Sequence, residues 1–394
     1  MSSGGYYVRP SEFEPLLPTK DLSRLSELAR EVVVRSLGLA TAAHPTTVDS
    51  LRSLLREMNS YYSNRMEGHS THPLDIAAAL RSEYSTSGET ARLQRLAIAH
   101  IHAERLLEGP DTSEVLTMKF LRKTHSELYG VLPESERVTP EGSVIEPGRN
   151  RTMRVKVGHH VPPEPNAIDL FGQRFDQKYA RTYPLEETFV AVAAAHQRVS
   201  WIHPFEDGNG RAARLQTHCA LFPLTKGLWS VSRGLARNQE SYYRYLAGAD
   251  RHREGDLDGR GNLSEKGLTA WCEWFIDICL DQVNFMRSML DLDGVHRRIT
   301  GLIAARAAHD SRYRPETALA LFHLFAAGPL PRADFFRITG LGERTARSAL
   351  SHLLAAGLVT SPDHRSSVRI AFPLDALLHI FPALYPEAET PRRP

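Results

Sequence analysis

Twelve residues near the middle of the chain, running from His203 to Arg214 as His-Pro-Phe-Glu-Asp-Gly-Asn-Gly-Arg-Ala-Ala-Arg, constrain the fold more than any other stretch. Upstream, Leu185 to Ser200 sets Phe189, Val192, Ala193, His196 and Val199 at helical spacing; downstream, Leu215, Cys219 and Phe222 resume it. The stretch is therefore a turn between two helices. Gly208, Asn209 and Gly210 fall where the second helix begins, so its unpaired N–H groups and the positive end of its dipole face whatever the turn encloses. Such an arrangement seats an anion.

If that anion is a nucleotide phosphate, each remaining residue type has a use. Asp207 supplies the single carboxylate that Mg²⁺ needs when phosphates and water complete its shell. Arg211 and Arg214, three apart on one helical face, suit a forked grip on terminal phosphates. His203, at the mouth of the turn, is a base able to take a proton from an incoming hydroxyl. Phosphoryl or nucleotidyl transfer is the chemistry these groups spell.

The run resembles the Fic family signature, His-x-Phe-x-(Asp/Glu)-Gly-Asn-Gly-Arg-x-x-Arg, at every defining position. The resemblance implies a helical Fic core and transfer of AMP from ATP to a side-chain hydroxyl of a target protein. It implies that His203 deprotonates the hydroxyl and Asp207 holds Mg²⁺. Asn209 and the amides flanked by Gly208 and Gly210 would bind the α- and β-phosphates, and Arg211 with Arg214 the β- and γ-phosphates.

Upstream, a helix beginning near Thr47, with Leu51, Leu54, Leu55 and Met58 on one stripe, ends in Ser63-Asn64-Arg65-Met66-Glu67-Gly68. A glutamate is poorly placed there, because the negative end of the helix dipole repels it. That misfit asks for a cationic partner. Ser63-x-x-x-Glu67-Gly68 resembles the inhibitory motif of Fic proteins that carry an autoinhibitory helix ahead of the core, which implies that Glu67 pairs with Arg214 and fills space the γ-phosphate needs.

Residues 131–168 change character, with Pro133, Pro140, Gly142, Pro147 and Gly148 preceding an alternation of Met153, Val155 and Val157. The alternation predicts a short strand, which downstream prolines stop. By the resemblance, Met153, Val155 and Val157 belong to a β-hairpin flap whose open edge holds the protein substrate by strand addition. His159 and His160 have no third ligand at metal spacing. His125 falls on an apolar face and reads as a hydrogen-bonded core histidine. Tyr243, off the apolar stripe of its helix, and Asp250 seven residues later correspond to family positions near the adenine. The family often has asparagine at the second; a carboxylate only accepts hydrogen bonds, which leaves base preference less determined.

Near the end, Thr317 to Phe325, Pro331 to Ile338 and a stretch opening at Gly342 read as three helices. Two short strands, 358–360 and 368–370, follow. This order resembles a winged helix-turn-helix domain. Six arginines face three acids between 331 and 372, so DNA contact through Arg344 and Arg347 stands level with protein docking or dimerisation.

The expectation is a mainly α protein: an N-terminal helical region with the inhibitory helix (1–84), a Fic catalytic core with a β-hairpin flap (85–290), a linker helix and winged-helix domain (291–378) and a tail (379–394). Net charge of +2 gives no global case for nucleic acid or membrane. Cys219, Cys272 and Cys279 read as buried thiols of a reducing compartment, and the first residues lack a leader pattern, so the expected location is cytoplasmic. ATP and Mg²⁺ are the implied cofactors; a homodimer stays open. Rival chemistries are removal of AMP with Glu67 orienting water, transfer of another phosphate-linked group, or a DNA-binding regulator that only senses nucleotide. An intact base at His203 speaks against the last.

Overall fold

The computed structural model describes residues 6–39, 41–109, 111–139 and 141–386; the first residues examined for a leader, Pro140 and residues 387–394 of the expected tail lie outside them. The described chain is mainly helical: α1 (Leu22–Leu39), α2 (Pro45–Arg65), α3 (Pro73–Leu80), α4 (Gly88–Leu107), α5 (Met118–Tyr129), α6 (Ile168–Tyr179), α7 (Leu185–Ile202), α8 (Asn209–Thr225), α9 (Val231–Arg237), α10 (Gln239–Ala249), α11 (Glu265–Met289) and α12 (Leu292–His309). Then come α13 (Thr317–Ala326), α14 (Arg332–Thr339), α15 (Glu343–Ala355), strands β1 (Val359–Thr360) and β2 (Arg369–Ile370), and α16 (Leu374–Ile380). No helix among the described residues is long and apolar enough to cross a membrane.

The chain divides into two compact units, one from the described residues of Met1–Val34, Asn59–Thr71 and Asp75–Gln282, the other from those of Arg35–Met58, His72–Leu74 and Val283–Pro394. In the first unit, α7 and α8 pack side by side, with α4 and α5 also against α8. From Phe189 to Val199, α7 is buried without interruption. Its alanines, 191 and 193 to 195, leave room for close approach, and the Trp271 indole of α11 donates to the Ala193 carbonyl at 2.7 Å. A stripe of Phe171, Phe175 and Tyr179 on α6 is fully buried at four-residue spacing. Thr117 caps α5, its hydroxyl accepting from the Phe120 N–H. The three cysteines are free and buried.

On the short helix α3, Leu74 and Leu80 are exposed, while Ile76 and Ala79 are buried; eight residues carry too few turns to define an apolar face by period. One expectation needs correction. The alternating flap segment forms no continuous strand. Its pairing among the described residues is an isolated antiparallel bridge between Val157 and His160, across a turn where Gly158 has φ of +60°. Met153 and Val157 are exposed, so alternation there has no buried face to serve, and Pro162, Pro163 and Pro165 stop a ladder from growing.

In the second unit, α12 packs against α13 and α16, and α13 against α14. β1 and β2 pair antiparallel, Val359 with Ile370 and Thr360 with Arg369, and a bridge from Leu330 to Val368 adds one rung. Three helices followed by a two-stranded ribbon is the observed order. The first half of α2 belongs here, with the Thr47 hydroxyl donating to the Phe325 carbonyl at 2.9 Å.

Candidate active site

The turn between α7 and α8 is built by unusual backbone. His203 ends α7 with φ of +48°, and Gly208 opens α8 with φ of +77°. A side chain at Gly208 would run into the Tyr129 ring, and one at Gly210 into the Glu67 carboxylate and the Arg214 guanidinium. Gly208 therefore requires glycine for both space and conformation, while at Gly210 a side chain would displace the Glu67–Arg214 pair. Asn209 is buried, and its amide closes the loop on one residue: Nδ2 donates to the Phe205 carbonyl at 2.8 Å and Oδ1 accepts the Phe205 N–H at 2.9 Å. Its side chain is thus engaged in the turn. What it presents toward an anion is its backbone N–H, in the first turn of α8, where no helical partner exists.

Asp207 lies at the centre. Its Oδ2 accepts from the Tyr129 hydroxyl at 2.8 Å and from Arg211 at 2.9 Å. Burial opposes its charge, but the Arg211 guanidinium, the Tyr129 hydroxyl and the Gly208 N–H outweigh it and hold the carboxyl below its usual range. It is ionised at neutral pH. Its backbone is also fixed: the His125 ring, stacked on Phe205, accepts from the Gly148 N–H at Nδ1, so Nε2 carries the proton and donates to the Asp207 carbonyl at 3.0 Å.

Glu67 reaches this site from the end of α2. Its Oε1 accepts from Arg214 Nη2 at 2.6 Å, and Arg214 also donates to the Ser63 hydroxyl at 3.1 Å and the Ser63 carbonyl at 2.8 Å. Arg214 is 2% exposed and the Glu67 side chain 25%. Burial raises the Glu67 pKa, but Arg214 and then Arg211 lower it further, leaving a carboxylate. The acidic group at a helix C-terminus has found its cation, and it lies directly over Gly210, in the first turn of α8.

His203 sits on the other side of the turn. Burial, then the neighbouring His160 and Arg151, lower its pKa to about 4, so the imidazole is neutral at pH 7. Arg151 ties the flap segment to the turn: it donates to the carbonyls of His203 (2.9 Å), Met153 (2.9 Å) and Pro163 (2.6 Å), and its N–H donates to the Pro204 carbonyl at 2.7 Å. His160 Nε2 lies 2.7 Å from the Trp201 carbonyl, a second tether. Tyr243 comes close as well, its hydroxyl donating to the Met66 carbonyl at 3.2 Å, one residue before Glu67. Asp250 is engaged by the Gln197 amide at 2.6 Å and is raised by burial.

Three site residues lay outside the sequence reading. Tyr129 and Arg151 carry no local signal, since Tyr129 acts on Asp207, 78 residues away, and Arg151 reaches the turn through His203, 52 residues away. His125 was read as a hydrogen-bonded core histidine, which is what it is, but its partner is the Asp207 backbone.

An ionised carboxylate, two buried arginines, a neutral imidazole and a glycine-framed helix N-terminus thus converge at the turn between α7 and α8. Residues 115–221 match the family model described as the Fic/DOC family. It is 26% identical over 259 residues to the protein adenylyltransferase Fic of Drosophila willistoni, covering 64% of this chain and 49% of that one. To the protein adenylyltransferase fic-1 of Caenorhabditis elegans it is 29% identical over 176 residues, 42% of this chain and 32% of that one. The chain spans about half or less of the length of these curated relatives. A Fic family protein structure from Desulfovibrio desulfuricans G20 aligns over 93% of this chain and 99% of its own at 19% identity, with a TM-score of 0.49.

Proposed function

We propose that this protein transfers AMP from ATP to a side-chain hydroxyl of another protein, and that Glu67 holds the reaction off in cis. The observation that carries the reading is the Glu67 carboxylate itself: an anion already lies over Gly210 and against Arg214, where a terminal phosphate would need to be. The names of the relatives support the same chemistry.

In this reading the N–H groups of Asn209 and Gly210, with the α8 dipole, receive phosphate oxygens. Arg211 and Arg214 grip the β- and γ-phosphates, Arg214 only after releasing Glu67. Asp207 fits Mg²⁺, because it is a lone ionised carboxylate and that ion takes its other ligands from phosphates and water. Bound there, Mg²⁺ offsets charge on the phosphates. Neutral His203 accepts the proton of the acceptor hydroxyl as its oxygen bonds to the α-phosphorus; the bond from that phosphorus to the bridging oxygen breaks, and pyrophosphate leaves. Tyr243 and Asp250 line the base end. Met153, Val155 and Val157 offer the flap edge to an extended segment of the target.

The catalytic core then spans 85–290, with the inhibitory helix ahead of it and a winged helix within 291–378. For that module, Arg344 and Arg347 in the first turns of α15 are exposed and suited to the backbone of duplex DNA. Three buried free thiols support a reducing compartment, the cytoplasm.

ATP labelled at the α- or the γ-phosphate tests the transfer. Label should reach protein only from the α-position, and His203→Ala should lower the rate by about 10²–10⁴ while nucleotide binding persists. Label arriving from the γ-position, or undiminished transfer without His203, would refute the mechanism.

A further inference from the structure

One helix grips Asp207 at both of its ends. On α5, His125 and Tyr129 stand four residues apart and so share a face. His125 donates to the Asp207 backbone carbonyl at 3.0 Å, and the Tyr129 hydroxyl donates to Oδ2 of its carboxylate at 2.8 Å. The two rings stack with centroids 4.7 Å apart, and His125 stacks in turn on Phe205 at 3.9 Å. On its other side the Tyr129 ring fills the space beside Gly208 where a side chain would otherwise lie. The hydroxyl is therefore held in place by packing on the ring that carries it.

That hydroxyl has a second partner. Arg211 Nη2 donates to it at 2.6 Å and to Asp207 Oδ2 at 2.9 Å, with the guanidinium carbon 5.2 Å from the Tyr129 ring centroid. A guanidinium only donates and an ionised carboxylate only accepts. Tyr129 therefore gives its one proton to Asp207 and accepts from Arg211. The three groups form a closed triangle through Nη2, the hydroxyl and Oδ2. Arg211 is 3% exposed in this triangle, whereas the Asp207 side chain stays 35% exposed. Part of the carboxylate is left open to a cation, on a group whose rear is fixed.

We propose that Tyr129 is a positioning residue for metal binding: its hydroxyl stands between Asp207 and Arg211 and keeps the carboxylate available to Mg²⁺. The inference rests on the reading of Asp207 as the group that holds the metal. A guanidinium beside a carboxylate favours a two-pronged contact, with two parallel N–H donors on two oxygens. Here the contact is single, from Nη2 to Oδ2, and the hydroxyl supplies the further bond that each partner needs. Deleting the hydroxyl strands one Nη2 hydrogen and one Oδ2 lone pair where burial makes unmet bonds costly. The two satisfy each other by closing into the full pair, and a cation must then compete with Arg211 for both oxygens. Groups that orient a ligating carboxylate in this way set metal affinity without touching the metal.

Full-length Glu67→Gly protein, titrated by calorimetry with an ATP analogue whose α- and β-phosphorus atoms are bridged by methylene, tests this without turnover. The titration is repeated across a Mg²⁺ series, and the readout is the Mg²⁺ concentration that gives half of the metal-dependent gain in affinity. In Glu67→Gly/Tyr129→Phe that concentration should rise by about 10- to 100-fold. Affinity at zero Mg²⁺ should change little, because the N–H groups of Asn209 and Gly210 are untouched; a general loosening of the fold would not give this split. Glu67→Gly/Asp207→Asn should lose the Mg²⁺ response. A second measurement needs no variant at Tyr129. In Glu67→Gly protein with the analogue bound, the ultraviolet Raman difference between samples with and without Mg²⁺ should show one tyrosine hydroxyl donating more weakly, since the metal draws charge from the carboxylate. A Mg²⁺ midpoint unmoved in the Tyr129→Phe protein, equal losses of affinity with and without metal, or a flat Raman difference would overturn the proposal while leaving the Asp207 reading intact. A Mg²⁺ response that survives Asp207→Asn would overturn both.

Discussion

Replacing Glu67 by glycine removes one charge-assisted hydrogen bond, from a guanidinium that is 2% exposed to a carboxylate that is 25% exposed. A bond of that kind contributes about 1.5–3 kcal/mol. If ATP must break it to reach Arg214, its removal should raise the rate of AMP transfer by about 10- to 150-fold. Arg214 keeps its bonds to the Ser63 hydroxyl and carbonyl, so the variant should stay folded, with a loss of stability below the roughly 3–5 kcal/mol typical of orphaning a buried charge. The assay is initial-rate transfer of α-labelled AMP at saturating ATP and Mg²⁺, wild type against Glu67→Gly, with Glu67→Gly/Arg214→Ala as control. The control should lose the gain, because the released arginine is itself required. The gain should also hold between pH 6 and 8. The folded pKa of Glu67 is below its ordinary 4.5, so the lock is complete above that value and is lost only as pH falls through the folded one. Folded Glu67→Gly protein with an unchanged or lower rate would refute the cis-inhibition reasoning.

Burial lowers the pKa of His100 and His196 to about 3 and of His125 and His203 to about 4. The protein should therefore keep its full stability above pH 6.5 and lose it as pH falls toward 4, each group contributing up to about 1.4 kcal/mol per pH unit. Urea midpoints that stay flat from pH 7 to 5 would contradict this. For the second unit, full-length protein should bind duplex DNA with an affinity that falls steeply with salt, and Arg344→Glu/Arg347→Glu should reduce both affinity and salt slope. Equal binding by that variant, or none at low salt, moves the module to protein docking.

The signature from His203 to Arg214 is legible because its main demands are local: φ above zero at Gly208 and a helix starting at Asn209 are set within a few residues. Glu67 was legible for a different reason, as an acid placed against its own helix dipole. Side-chain direction was not. The Asn209 amide turns back onto Phe205, which no spacing rule distinguishes from turning outward. The flap alternation of Met153, Val155 and Val157 carries no ladder, since alternation signals a strand only where one face is buried.

Intact-mass spectrometry of Glu67→Gly protein incubated with ATP and Mg²⁺ tests the central claim most directly, because self-modification reports donor and bond in one number. The account predicts a species heavier by one adenylyl group, absent with Glu67→Gly/His203→Ala and mapping in tryptic peptides to a hydroxyl-bearing residue. Protein that stays at its unmodified mass, gains a single phosphate instead, or gains the adenylyl group equally without His203 would contradict it.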